Sequence, residues 1–191
     1  QISIAAGISS SVPAYTVNMI CGSGMKAVIN AYVNIKAGQG DVIVAGGVES
    51  MSQAPYLVNS NIRSGVKMGS FNLIDYMIED GLTDAFNNYH MGITAENIVD
   101  QYQLTREEQD DFAYLSQVKA AKADDAGLFK AEIAPILIKT RKGDIIFEKD
   151  EYINRTTSRE KIATLRPAFK KDGSVTAGSS SGINDGASFV V

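Results

Sequence analysis

The 191-residue sequence predicts an α/β protein: a layered core segment, incomplete at its edges, interrupted by a long mixed α+β insertion. Three observations lead there. Short β-branched runs at residues 15–20 and 42–45 flank an apolar run at helical spacing, the pattern of a strand–helix–strand crossover. From about Ser52 that pattern gives way to a loop-like stretch and then to amphipathic helices and short strands. A strand-like run returns at residues 187–191. The expected division is core at 1–51, insertion at 52–180 and a return to core at 181–191.

The elements follow in order. The opening residues read as part of a helix. Residues 15–20 read as a buried strand, and glycines at 22 and 24 then introduce a helix from Met25, with Val28, Ala31, Tyr32 and Ile35 on one face. Gly38 and Gly40 stop it, and Val42-Ile43-Val44-Ala45 reads as a second buried strand, parallel to the first. Residues 52–80 carry scattered Asn, Ser and Gly and read as loop. A helix is expected to start near Thr94. Another starts at Thr105, where Thr105-Arg106-Glu107-Glu108 is a capping box, and runs to Gly127 with Phe112, Leu115 and Lys119 in a row. Residues 135–140 and 144–147 read as strands of a small sheet. Thr157-Ser158-Arg159-Glu160 is a second capping box, opening a short helix that Pro167 ends.

Composition narrows the function classes. Apolar residues make up 45% and charged residues 21%, which fits a folded chain and not a disordered one. Eighteen basic against 22 acidic residues give a net charge of −4 with no basic cluster, so neither nucleic acid nor an anionic membrane is an expected partner. No apolar run approaches the roughly 20 residues that span a bilayer. A single cysteine excludes an intrachain disulfide and fits a reducing compartment, the cytoplasm or an organelle matrix. Gln1 is no initiator and the last residues resemble a strand cut in mid-course, so the chain reads as an excised segment.

Cys21 falls between a predicted strand and the following helix. A helix N-terminus carries unpaired N–H groups and about half a positive charge, which favours a thiolate. Thiol pKa values there fall from about 8.5 to roughly 3.5–7.5. The competing reading is a small, inert, buried cysteine. Ser23-Gly24-Met25-Lys26 matches an S-x-x-K pattern, but its S-D-N and K-T-G companions are missing, so the match is fortuitous. The glycines after residue 45 form neither a G-x-G-x-x-G fingerprint nor a P-loop. One histidine and one cysteine do not furnish a usual metal site. His90 serves either as general base to Cys21 or as a packing and binding residue. Gly178-Ser179-Ser180-Ser181-Gly182 is a turn whose backbone N–H groups suit amide or anion contacts.

Taken in sequence, the motifs resemble the thiolase family along essentially the whole chain. Val17-Asn18-Met19-Ile20-Cys21-Gly22-Ser23-Gly24 is similar to that family's nucleophile signature. Val44-Ala45-Gly46-Gly47-Val48-Glu49-Ser50-Met51-Ser52 is similar to its second N-domain signature. Asp80-Gly81-Leu82-Thr83-Asp84-Ala85-Phe86, Tyr89-His90-Met91-Gly92 and Thr94-Ala95-Glu96-Asn97 resemble the insertion of short-chain acetyl-CoA acetyltransferases. Leu165-Arg166-Pro167-Ala168-Phe169 and residues 175–187 complete the series.

The resemblance implies a thiolase-like layered αβα core and an acyltransferase chemistry. Cys21 would take an acetyl group from acetyl-CoA, and a second acetyl-CoA, deprotonated at its methyl, would accept it to give acetoacetyl-CoA, or the reverse. The oxygen that becomes negative in each step needs aimed N–H donors, the Cys21 N–H among them. Coenzyme A is then substrate, with no permanently bound cofactor. Leu82, His90, Met91, Phe169, Ala177, Gly178 and Ser181 match substrate and pantetheine contacts, with His90 as binder. Asn154 stands where relatives hold the adenosine end with a basic residue, and Arg155 is the expected substitute. Residues 59–75 resemble a segment that joins dimers into tetramers, implying a homo-oligomer, a dimer of dimers. The family's Asn-Glu-Ala-Phe, Gly-His-Pro and Cys-x-Gly motifs do not occur in these residues, so the segment alone is expected not to complete a turnover. Rival readings are a longer-chain 3-ketoacyl-CoA thiolase, a ketosynthase, a cysteine hydrolase using His90, and a non-catalytic interaction protein.

Overall fold

The computed structural model describes residues 1–191. In chain order the elements are α1 (Ile2–Ala5), α2 (Ser23–Lys36), β1 (Ala45–Ser50), a 3₁₀ turn (Met51–Gln53), β2 (Tyr56–Leu57), a second 3₁₀ turn (Ser60–Ser64), β3 (Ile74–Asp75), a π-helical turn (Met77–Leu82), α3 (Met91–Tyr102), α4 (Arg106–Asp125), β4 (Ile136–Ile138), β5 (Ile145–Phe147), α5 (Arg159–Ala163) and β6 (Asp185–Val190). They pack as two compact units. The first comprises Gln1–Gly81 with Ile183–Val191, the second Leu82–Gly182.

In the first unit β1 pairs with β6, antiparallel, in the register Ala45↔Val190 through Ser50↔Asp185. Gly46 is required at its place, since a Cβ there would fall 2.2 Å from the Ser188 carbonyl oxygen. Asp185 fastens the end of this pair by accepting hydrogen bonds from the Ser52 backbone N–H (2.9 Å) and hydroxyl. The same bonds, the hydroxyl's first, hold the Asp185 carboxyl below its ordinary range. Helix α2 packs on β1.

The expected parallel crossover is not formed. Residues 15–20 make no strand, because no neighbouring strand offers them a ladder, and Tyr15, Met19 and Ile20 are exposed. The second strand begins at Ala45, so Val42 and Val44 lie outside it and are also exposed. Between Ser52 and Asp80 the expected loop contains structure instead, namely the turns named above and the short β2–β3 pair.

In the second unit α3 begins at Met91, three residues before the expected start. His90 is the cause: its Nδ1 accepts the Gly92 N–H at 2.9 Å and caps the helix. Helix α4 follows the sequence closely. Thr105 Oγ1 accepts the Glu108 N–H (3.2 Å) and Glu108 accepts the Thr105 N–H (2.8 Å), closing the capping box. At the other end Gly127, with φ +68°, turns the chain out of the helix. The row Phe112–Leu115–Lys119 does not face a core, and Phe112 is exposed. The residue buried on α4 is Asp110, which pairs with Arg106 at 2.8 Å. Arg106 also donates to the carbonyls of Ile162 and Leu165, each at 2.9 Å, and so fastens α4 to the α5 segment. Helix α5 is capped by Ser158, one residue later than expected, with its Oγ accepting the Lys161 N–H. Strands β4 and β5 form an antiparallel hairpin with Leu137 opposite Ile146.

Buried apolar residues are few: Ala45, Ile162 and Val175. The apolar side of α2 remains exposed at Val28, Tyr32 and Ile35, and so does every residue of the hairpin strands. No helix is long and apolar enough to cross a membrane.

The capping box gives a direct test. Thr105→Ala should lower stability by about 1 kcal/mol at neutral pH, measured by urea unfolding. The Thr105 backbone N–H, then its hydroxyl, hold the Glu108 carboxyl below its ordinary range. A carboxylate depressed on folding stabilises above its unfolded pKa, about 4.3, and loses that contribution as pH falls through the lower folded value. The gap between wild type and variant should therefore narrow below about pH 4.

Candidate active site

Cys21 lies on the first unit, exposed, immediately before the Gly22 N-cap of α2. The turn that presents it is locked by short side chains. Ser23 Oγ accepts the Met19 N–H (2.8 Å) and donates to the Ile20 carbonyl (2.6 Å). Asn18 Oδ1 accepts the Ile20 N–H at 3.0 Å. Gly22 N–H reaches the Met19 carbonyl at 3.0 Å, and Ser23 N–H the Ile20 carbonyl at 3.0 Å. These bonds hold Ile20 at φ +49°, an unfavourable left-handed conformation for a β-branched residue. A Cβ on Gly22 would come within 2.9 Å of Met19 Cε, whereas Gly24 faces open space. The first turn of α2 contains no acidic residue to oppose the helix dipole beside the thiol. Ser23, dismissed as part of a fortuitous S-x-x-K match, is thus the brace of the nucleophile turn. Its signal was a hydroxyl at a helix start.

A second cluster forms within the other unit, and it brings His90 and Phe169 together. Leu82 ends the π-helical turn, and Thr83 bridges to His90. With Nδ1 accepting the Gly92 N–H, a neutral His90 ring carries its proton on Nε2, so that atom is a donor. The Phe169 ring stacks on His90, centroids 4.9 Å apart at 18°. Gly92 makes that possible, since a Cβ there would lie 2.1–2.4 Å from Phe169 ring atoms. Met91 opens α3 at the surface.

The strand-like segment after Phe169 is held from α3 and α4. The Ala168 N–H donates to the Val175 carbonyl at 2.9 Å. Glu96, 2% exposed, accepts from the backbone N–H groups of Ser174 (3.0 Å) and Val175 (2.9 Å). Thr176 is completely buried, and its Oγ1 accepts the N–H groups of Gly178 (3.2 Å) and Ser179 (3.3 Å). Ala177 and Ser181 are exposed along this loop, and Gly178 lies against Leu165, whose Cδ1 would be 2.8 Å from a Cβ there.

Arg155 stands elsewhere in the same unit. It donates to the carboxylates of Asp124 and Asp125 near the end of α4, the latter at 2.9 Å. Those bonds, Asp125's first, raise its pKa further. It borders a shallow groove of about 420 Å³, together with Gln117, Lys122 and Asn154. An incoming anion would have to displace those carboxylates. Asn154 Oδ1 accepts from the Thr156 N–H and hydroxyl, both at 3.0 Å.

Sequence reading missed Glu96, Gly92 and Thr176 as organisers of this segment. A glutamate inside Thr94-Ala95-Glu96-Asn97, on an amphipathic helix, was the available signal. Nothing local announces that its partner lies some eighty residues on.

An exposed cysteine at a strained helix entry thus lies in the first unit, and a stacked histidine–phenylalanine pair admitted by Gly92 lies in the second. The thiolase N-terminal domain family matches residues 1–191, and the chain belongs to it. A Staphylococcus epidermidis (strain RP62A) protein named as a probable acetyl-CoA acyltransferase is 59% identical over 182 residues, 95% of this chain and 46% of its own length. A Staphylococcus aureus (strain NCTC 8325) protein of the same name is 55% identical over 186 residues, 97% of this chain and 47% of its own. The crystal structure of Bacillus anthracis acetyl-CoA acetyltransferase matches with a TM-score of 0.92 and 44% identity, over 98% of this chain and 47% of that one. The acetyl-CoA acetyltransferase of Syntrophomonas wolfei matches at 0.93 and 45%, with the same coverage. The fold is thus that of an incomplete α/β thiolase domain, and the chain spans about half the length of the curated relatives it matches.

The Gly92–Phe169 contact is testable. Gly92→Ala should displace the ring and lower stability by about 1–3 kcal/mol in urea unfolding. In a Phe169→Ala background the same substitution should cost much less.

Proposed function

We propose that the protein containing this chain is an acetyl-CoA C-acetyltransferase in which Cys21 is the acetylated nucleophile. The observation that carries the reading is the chain's single cysteine, exposed at the entry to α2 within a turn braced by Ser23 and Asn18. The names of the relatives at 55–59% identity and of the matched structures support the acyl-group and coenzyme A chemistry.

In this reading the Cys21 sulfur attacks the acetyl thioester carbonyl. The tetrahedral oxyanion draws on N–H donors at the α2 entry, then collapses with departure of the coenzyme A thiol. A second acetyl-CoA, deprotonated at its methyl carbon, attacks the acetyl-cysteine to give acetoacetyl-CoA and restore the free cysteine. Thiolysis is the same path reversed. The residues that remove and return protons are not assigned within this chain. Leu82, His90, Met91, Phe169, Ala177, Gly178 and Ser181 bind the acyl and pantetheine portions, with the His90 Nε2–H as a donor. Arg155 serves the adenosine end after exchanging its Asp124 and Asp125 contacts.

The working form is a cytoplasmic homo-oligomer, a dimer of dimers. The exposed apolar side chains Met68, Phe71 and Leu73 in residues 59–75 support self-association through that segment.

The test uses the full-length protein incubated with acetyl-CoA and digested for mass spectrometry. One acetyl group on the Cys21 peptide, with free coenzyme A released, is expected. Cys21→Ala should lose both, and should reduce acetoacetyl-CoA thiolysis by at least about 10³-fold. Adduct-free protein with thiolysis retained in Cys21→Ala would remove the assignment. Comparing acetoacetyl-CoA with longer 3-ketoacyl-CoA substrates separates the short-chain reading from the longer-chain one.

A further inference from the structure

Glu96 is among the most deeply buried side chains of the protein, at 2% exposure, and it is a carboxylate. A buried carboxylate is costly unless its oxygens are hydrogen-bonded. Here three donors converge on it, all from two consecutive residues of another segment. Oε1 accepts the Ser174 N–H (3.0 Å) and the Val175 N–H (2.9 Å). Oε2 receives the same Ser174 N–H at 3.2 Å and lies 3.5 Å from its hydroxyl. The approach is so close that residue 173 must be glycine, because a Cβ there would sit 2.2 Å from Oε1.

What Glu96 grips leads at once into the loop assigned to the pantetheine arm. Val175 precedes Thr176, whose hydroxyl oxygen accepts from Gly178 and Ser179. Ser179 Oγ accepts the Thr176 N–H at 3.0 Å, and Ser180 Oγ donates to the Thr176 carbonyl at 2.7 Å. Glu96 is therefore linked to Gly178 by hydrogen bonds on either side of the Val175–Thr176 peptide bond. A second hold comes from α4, where Gln109 Nε2 donates to Ser174 Oγ (2.9 Å) and to the Thr105 carbonyl (3.2 Å). Glu96 also shares α3 with Gly92, and Phe169 packs against Gly92 and against His90, the cap of that helix. One helix and its cap thus hold the segment at Phe169 and again at Ser174–Val175.

We propose that Glu96 is a positioning residue for substrate binding: its carboxylate sets the conformation of the loop bearing Ala177, Gly178 and Ser181, and thereby the affinity for the coenzyme A thioester. This rests on reading that loop as part of the coenzyme A site. Glutamate is specified because two oxygens must face three donors. Glutamine offers one acceptor oxygen and turns an NH₂ group toward a backbone N–H. The role does not extend to bond-making at Cys21, since Glu96 acts through the loop.

The experiment uses full-length wild type, Glu96→Gln and Ser174→Ala, with steady-state thiolysis of acetoacetyl-CoA and alkylation of Cys21 by iodoacetamide. For Glu96→Gln the KM for coenzyme A should rise about tenfold, as expected for losing charge-assisted hydrogen bonds, while kcat changes less than about twofold. The alkylation rate of Cys21 should not change. Ser174→Ala keeps the backbone donors and should raise KM by only about two- to threefold. A folded Glu96→Gln with unaltered KM overturns the proposal. So does a fall in kcat as large as the rise in KM, which would mark a general structural role. If Glu96→Gln does not fold, Ser174→Ala decides alone, and an unaltered KM overturns the proposal. Wild type that shows no saturation by coenzyme A would remove the site reading itself, and this inference with it. Saturation with equal KM in wild type and variants would remove only the role of Glu96.

Discussion

The pairing of β1 with β6 is the constraint on which the first unit depends. It joins segments far apart in the chain, at residues 45–50 and 185–190, so everything between must leave β1 and return to β6. Closing so long a loop carries an entropic cost that grows only slowly with length, and six residue pairs plus the Asp185–Ser52 contact offset it. The pairing tolerates no side chain at Gly46. It also gives α2 the surface against which it packs, and α2 in turn anchors the turn of Cys21.

The Cys21 turn and the Glu96 cluster are built by the same device at different ranges. At Cys21 short polar side chains two to four residues away satisfy the backbone of a strained turn, so the geometry is local. In the second unit the equivalent work is done across long separations, by Glu96 on Ser174 and Val175 and by Gln109 on Ser174. Glycines 92 and 173 admit an aromatic ring and a carboxylate where any other residue would exclude them. Buried polar contacts from α3 and α4 thus fix a loop that has no ladder or helix of its own.

Apolar surface is distributed unusually for 191 residues. Ala45, Ile162 and Val175 are the buried apolar residues, while α2 and the β4–β5 hairpin display Val28, Tyr32, Leu137 and Ile146 to solvent. An isolated two-stranded hairpin is marginal in water. Polar contacts instead tie these units together: the Thr105–Glu108 box, the Arg106 clasp on the α5 segment, and Glu96. The chain also spans about half the length of the relatives that share its fold.

The sequence by itself determined whatever depends on neighbours a few residues apart. Helix α4 was legible from its capping box and its terminal glycine, because both signals are local hydrogen-bond chemistry. The β4–β5 hairpin was legible from two apolar runs around a turn, and Cys21 from its place among glycines at a helix entry. Ordered motifs along the chain also made the thiolase family legible before any coordinate. Tertiary structure decided the rest. Residues 15–20 look like a strand, yet a strand exists only where another offers a ladder, and none does. Val42 and Val44 lost their places because pairing with β6 begins at Ala45. His90 moved the start of α3 by capping it, and the burial of Glu96 followed from two backbone N–H groups far along the chain. Periodicity records which face of an element is apolar. Only packing decides which partner meets it, because partners distant in sequence leave no mark on local pattern.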